Sequence, residues 1–394
     1  MGKRELLLIV VFVILGVVLY EATGPSRAPG ASFGGIIQNF KRHIQGNRAS
    51  AEAHSTATTP VGAGVRELRV TLGQSEVTIA GEDRNDISAD LTVTARGFDD
   101  AEARQAADTY KVAFDNVPEA IVMSLGGSRS SLPGPAGLPG PPGPPGATRE
   151  RRLENRSPAR VMLTLKVPRR LRVRLEPFGG RLNIDGVAAV DAMGSRGEVK
   201  IANVAERVSL THGAGQLTLD HIGALKLNAR NSRGSIRHVE GLVAIESVAG
   251  ELTISDVTGP IDIQSRGTDY RLEKLAALQP PLKIDATSGR LRIDDLKTEA
   301  RIDGRNTDLD IALAQAAPVT IYSTGEDINV TAPPGGYTID AIATEGRVSL
   351  NDGNLTPSGG ENEQRAKGAV RGGGPTITLR ATRASVNLRG PSVK

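Results

Sequence analysis

In the second half of the chain, aliphatic residues at i and i+2 recur with polar residues between them, the signature of short half-buried β-strands. One series of pairs begins at Leu182, Val199, Leu217, Ile236, Leu252, Tyr270, Leu291, Leu309, Ile328 and Val348. A second, interleaved series begins at Val190, Val208, Leu225, Val243, Ile261, Leu282, Ala300, Val319 and Tyr337. Most steps are 17–19 residues, and the two series share one period. In the unit from Gly250 to Gly267 the inward candidates are Leu252, Ile254, Val257, Ile261 and Ile263. So small a unit cannot bury its apolar side alone, so copies must stack into one continuous aliphatic core. The pattern predicts an all-β fold, a parallel β-solenoid (β-helix) of about ten 17–19-residue rungs over 171–390. Its corners are expected at Gly180, Gly197, Gly215, Gly234, Gly250, Gly267 and Gly289. An antiparallel meander rolled into a prism or sandwich would also satisfy the spacing, but the constant distance from corner glycine to aliphatic pair favours stacked coils.

Several positions break the period. Counted from Gly234, His238 falls where Leu219 and Ile254 fall, so it points inward unless a bulge lets Val239 take its place. The unit after Gly267 is one residue out of phase and is followed by a looped-out corner at Leu278 to Pro281. Residues 352–375 read as a Gly-rich polar loop, and Thr376 to Gly390 returns to strand pattern and is expected to close the rod.

Residues 65–170 read as an N-terminal β-rich cap containing one helix. Leu68, Val70 and Leu72, then Val77 and Ile79, then Leu91 and Val93 alternate as strands. A helix is expected from Asp99 and Asp100 through Ala103, Ala107, Tyr110 and Phe114, ending near Pro118. Ala120 to Leu125 and Arg160 to Val167 are strands expected to pair across the Pro/Gly insertion at 126–159. That insertion carries four collagen triplets from Gly134, ending at Gly146. Only glycine fits the axis of a triple helix, but four triplets are few, and the segment reads as a polyproline-II spacer and not as a trimerising element.

Lys3 and Arg4 precede an uncharged run from Leu6 to Tyr20. This run predicts an N-terminal transmembrane helix over 1–21, serving as anchor or, if Ala22 to Gly24 is cut, as a signal sequence. The basic pair stays in the cytoplasm, so the rest is placed outside it. The expected localisation is the cell membrane, single-pass with the C-terminal domain extracytoplasmic, or secreted if cleaved. Residues 22–64, rich in Gly, Ala, Ser, Thr and Pro, read as a flexible tether.

Composition removes several chemistries. There is no Cys, which excludes disulfides, thiolate nucleophiles and Cys-ligated metals. A net charge of +4 on 394 residues demands no nucleic acid, and aromatics at 3% supply a sugar-binding groove poorly. No P-loop or dinucleotide fingerprint is present, so no cofactor and no catalytic residues are assigned. The turn acids Asp185, Asp220, Asp256, Asp294 and Asp295 read as solvated. His221 and His238 lie 17 residues apart, one period, but the break at His238 argues against a metal pair, and no metal site is assigned. Arg169, Arg170, Arg172 and Arg174 form the candidate polyanion-contact surface.

These features resemble a bacterial putative-adhesin β-strand-repeat family, an extracytoplasmic domain of unknown function. The resemblance rests on Val77 to Gly81, Leu165 to Pro168, Leu171 to Val187, the repeated Ser-Arg-Gly and Ala-Gly corners, and Gly372 to Arg380. It covers about Val65 to Gly390 and implies a right-handed parallel β-solenoid with no catalytic residues to carry over. The expected function is a non-enzymatic, membrane-anchored envelope protein presenting its solenoid for adhesion, with envelope polymers or surface proteins as partners. A self-assembling scaffold and a carbohydrate-active β-helix enzyme are the alternatives.

Overall fold

A computed structural model describes residues 49–126, 160–275, 277–352 and 355–391. The expected anchor over 1–21 and nearly all of the collagen-like insertion lie outside the described residues. Among the described residues no helix is long and apolar enough to cross a membrane.

The chain enters through β1 (Ala49–Pro60), β2 (Glu67–Thr71), β3 (Gln74–Glu82) and β4 (Asp86–Gly97). Helix α1 (Asp100–Asp108) follows, then β5 (Lys111–Val117), β6 (Ala120–Gly126) and β7 (Arg160–Pro168). β1 lies antiparallel on β4, so the expected tether ends by Ala49. Helix α1 starts at Asp99, whose carboxylate accepts the Glu102 amide at 2.8 Å. It stops earlier than expected because Val112 and Phe114 alternate with exposed Lys111, Ala113 and Asp115, a period-two pattern that pairs β5 with β6. β6 and β7 do not pair with each other. They lie side by side with β2 and β3 respectively, in parallel register, and so form one rung whose corner carries the insertion.

β2 and β3 in turn pair with β8 (Arg172–Asp185). From there the rungs stack in chain order through β9 (Ala189–His212), β10 (Gly215–Val239), β11 (Val243–Val257), β12 (Ile261–Glu273), β13 (Leu282–Leu296) and β14 (Ala300–Leu313). Every one of these pairings is parallel, so the stacked coil holds and the meander does not. Leu252, Ile254, Val257, Ile261 and Ile263 are all buried, as their spacing predicts.

The register corrects two corners. Ser232, not Gly234, stands beside Gly250, and Gly234 stands beside Leu252 within the strand. Likewise Thr268 and not Gly267 stands beside Gly250 on the next rung. His238 therefore never competes for an inward place; Ile236 pairs with Ile254, and Val239 is buried beside Val257.

The C-terminal end departs most from expectation. β15 (Val319–Thr324) and β16 (Ile328–Thr331) stack on β14. The next segments in sequence, β17 (Tyr337–Thr344) and β18 (Val348–Leu350), do not pair with them. β21 (Thr376–Thr382) and β22 (Val386–Arg389) lie between the two rungs, parallel to both. The last strands of the chain are thus interposed, and Ile339, not Tyr337, takes the register of Val319. The predicted polar loop at 352–375 contains β19 (Ser358–Gly359) and β20 (Glu363–Val370), with Ala366 and Val370 buried. β20 runs antiparallel on β17 and covers the outer edge of that rung.

Candidate functional site

Each central rung bends at a residue with left-handed backbone: Asn203 in β9, His221 and His238 in β10, and Asp256 in β11 have φ of 54°, 53°, 51° and 55°. This conformation is tolerated best by Asn, Asp and His among residues with a Cβ. The turn throws that side chain outward and directs the next residue into the core. Val204, Ile222, Val239 and Val257 are buried accordingly.

Because the rungs are in register, His221 and His238 lie one above the other. Their rings stack with centroids 4.4 Å apart and planes inclined by 22°. Asp220 reaches both: its Oδ1 is 2.7 Å from His238 Nδ1 and 3.2 Å from His221 Nδ1. Partial burial opposes ionisation of Asp220. The hydrogen bond to His238 and the charges of His221, His238 and Arg237 outweigh it and hold the carboxyl below its ordinary range. The histidines border a cleft of about 440 Å³ that also takes in Asn203, Glu240, Asp256 and Thr258. Two imidazoles and a carboxylate can relay a proton or ligate a cation. The sequence placed the two histidines one period apart correctly; the supposed break came from taking Gly234 for a corner.

The arginine cluster is less uniform than its sequence suggests. Arg172 and Arg174 are exposed on β8, but Arg174 pairs with Glu176, and Arg172 stands beside Glu67 on β2. Arg169 meets Asp83 at 3.3 Å, and Arg170 reaches Asn85 Oδ1 and the Gly62 carbonyl at 3.5 Å. The surface is a mixture of both charges.

Two polar clusters were not read from the sequence. His212 is buried where Ala229 stands on the next rung; its Nδ1 lies 2.8 Å from Ser232 Oγ and its Nε2 3.3 Å from the Gly197 carbonyl. Burial holds its pKa below the ordinary value against the Gly197 contact. At the C-terminal end, Tyr337 donates to Asp352 at 2.9 Å, and Arg371 donates to the same carboxylate at 2.8 Å. This ties the segment after β20 to the terminal rung.

An all-β stack of parallel rungs, solenoid-like and closed by antiparallel strands, defines the class of the protein. The chain matches the family model described as Toastrack DUF4097 over residues 65–389 and belongs to that family. None of the curated proteins matches it. Among solved structures it is similar to the "crystal structure of a putative cell adhesion protein from Clostridium sporogenes ATCC 15579", with 10% identity and a TM-score of 0.19, over 86% of this chain and 100% of that one. So loose a superposition carries no argument about fold or function.

Proposed function

We propose that the protein is a membrane-anchored, extracytoplasmic envelope protein whose solenoid faces serve adhesion or contact with other surface components, without turning over a substrate. The observation that carries this is the in-register stacking, which arrays outward residues of successive rungs as continuous faces and pairs many of their charges. Arg181 meets Glu198 at 3.0 Å and Arg290 meets Asp308 at 3.2 Å, each across neighbouring rungs. Such faces suit extended partners better than a small substrate. The carboxylates with resolved shifts, Asp86, Asp220 and Asp340, all lie below their ordinary value. Hydrogen bonds from Arg84, His238 and Arg380 respectively favour the charged forms, as in paired surface charges. Antiparallel strands at both ends, β5 on β6 and β20 on β17, weigh against an end-to-end polymer.

The test is retention of the full-length, detergent-solubilised protein on isolated bacterial envelopes, with released sugars assayed in parallel. Saturable retention without released product is expected. Saccharide release that an acid-to-amide substitution abolishes would replace the proposal with the enzymatic reading.

A further inference from the structure

We propose that Asp220, His221 and His238 form a binding site for one divalent transition-metal ion of the zinc and nickel kind. Each residue offers one ligand atom, and these atoms lie within 4.8 Å of one another. Metal–nitrogen and metal–oxygen bonds of ~2.0–2.2 Å in a tetrahedral site place donor atoms about 3.3 Å apart. The Asp220 oxygen already stands 2.7 and 3.2 Å from the two imidazole nitrogens. Those two separations bracket the tetrahedral donor spacing, so the carboxylate and each imidazole already stand at a distance that one ion can bridge.

Nothing in the packing calls for histidine at these positions. The core place on each rung belongs to the following residue, Ile222 or Val239, and the equivalent outward positions on flanking rungs hold Asn203 and Asp256. Those flanking residues are engaged with their own neighbours. Asn203 donates to Asp185 at 2.7 Å, and Asp256 meets Lys274 at 3.7 Å. Asp220, the residue before His221, instead meets both imidazoles. A shared cation satisfies both ring lone pairs and the carboxylate at once. Two nitrogens and one oxygen favour zinc, nickel or copper over magnesium or calcium, which prefer all-oxygen sites. Three protein ligands leave a position open toward the cleft for water or an oxygen from a partner.

Equilibrium dialysis of the full chain against Zn²⁺ tests the site, with His238→Asn and the double variant His221→Asn/His238→Asn. Asparagine is the right replacement because Asn203 occupies the same backbone conformation one rung earlier. The wild type should hold one equivalent, His238→Asn should bind at least about tenfold more weakly, and the double variant should lose the site. His54→Asn, on β1, should retain it. Ring signals followed by NMR during zinc titration of the wild type give a readout that needs no variant: His221 and His238 should shift together. Unchanged binding by the folded double variant, no binding by the wild type, or shifts confined to other histidines would each overturn the proposal.

Discussion

The side-chain amide of Asn387 donates to the side-chain carbonyl of Asn329 at 3.1 Å, although the two lie 58 positions apart in the chain. The contact marks where β22 lies beside β16, between rungs that are consecutive in sequence. Followed along the chain, β17 and β18 form the rung beyond this gap, β20 runs back along β17, and β21 and β22 occupy the gap. Those strands hold a core position from both sides.

Leu379, in the interposed strand, has none of its surface exposed. Replacing it with alanine should cost ~2–5 kcal/mol, because rungs on both sides lose contact and the register limits collapse. Urea unfolding measures this; a loss below ~1 kcal/mol would mean that the strand packs at a frayed edge instead.

Gly197 and Gly267 both have positive φ, 141° and 65°, but only Gly197 is closed in. A Cβ there would lie 1.7 Å from the Gly180 carbonyl oxygen, whereas at Gly267 nothing lies within 4 Å. Gly267→Ala should cost about 1–2 kcal/mol, the ordinary penalty of left-handed backbone. Gly197→Ala must also displace a neighbouring rung and should cost clearly more or prevent folding. Equal melting temperatures for the two variants would contradict the stacked register.

Much of this architecture was legible because period two and the rung period are both local signals. The buried set from Leu252 to Ile263 follows from spacing alone. What failed were positions where glycine was taken as a corner marker: at Gly234 the corner is a serine, Ser232, and this misplacement hid the meeting of His221 with His238. The interposed strands could not be read either, since a repeat pattern gives each rung's content and not its order in the stack. β1 was missed because its inward side chains are small, as in Ala49, Ala51, Ala53 and Ala57, and carry little hydropathy contrast.

His212 should make the fold acid-sensitive above the range where carboxylates titrate. Its folded pKa is depressed by burial, so its contribution is present above the unfolded value of ~6.5 and lost as pH falls below it. Melting followed by circular dichroism should show lower stability at pH 5 than at pH 7.5, with a smaller difference in His212→Asn. An unchanged difference would place the acid sensitivity elsewhere.

At the opposite end of the scale, burial pushes the Tyr270 phenol above its ordinary value, only partly offset by its hydrogen bond with Ser247 at 2.7 Å. Stability from the neutral phenol is full below about pH 10 and declines as pH rises beyond it. Tyr270→Phe should cost about 0.5–1.5 kcal/mol near neutrality and show a shallower alkaline loss. A steeper loss in the variant would contradict the burial of a neutral phenol.

The proposed role requires the solenoid to lie outside the cytoplasmic membrane, and the chain is suited to testing this because it contains no Cys. A single cysteine at Gln264, exposed on β12, can be challenged in spheroplasts with a membrane-impermeant maleimide. Labelling of the full-length Gln264→Cys protein without lysis is expected. Labelling that requires lysis would put the solenoid in the cytoplasm and contradict the proposed role.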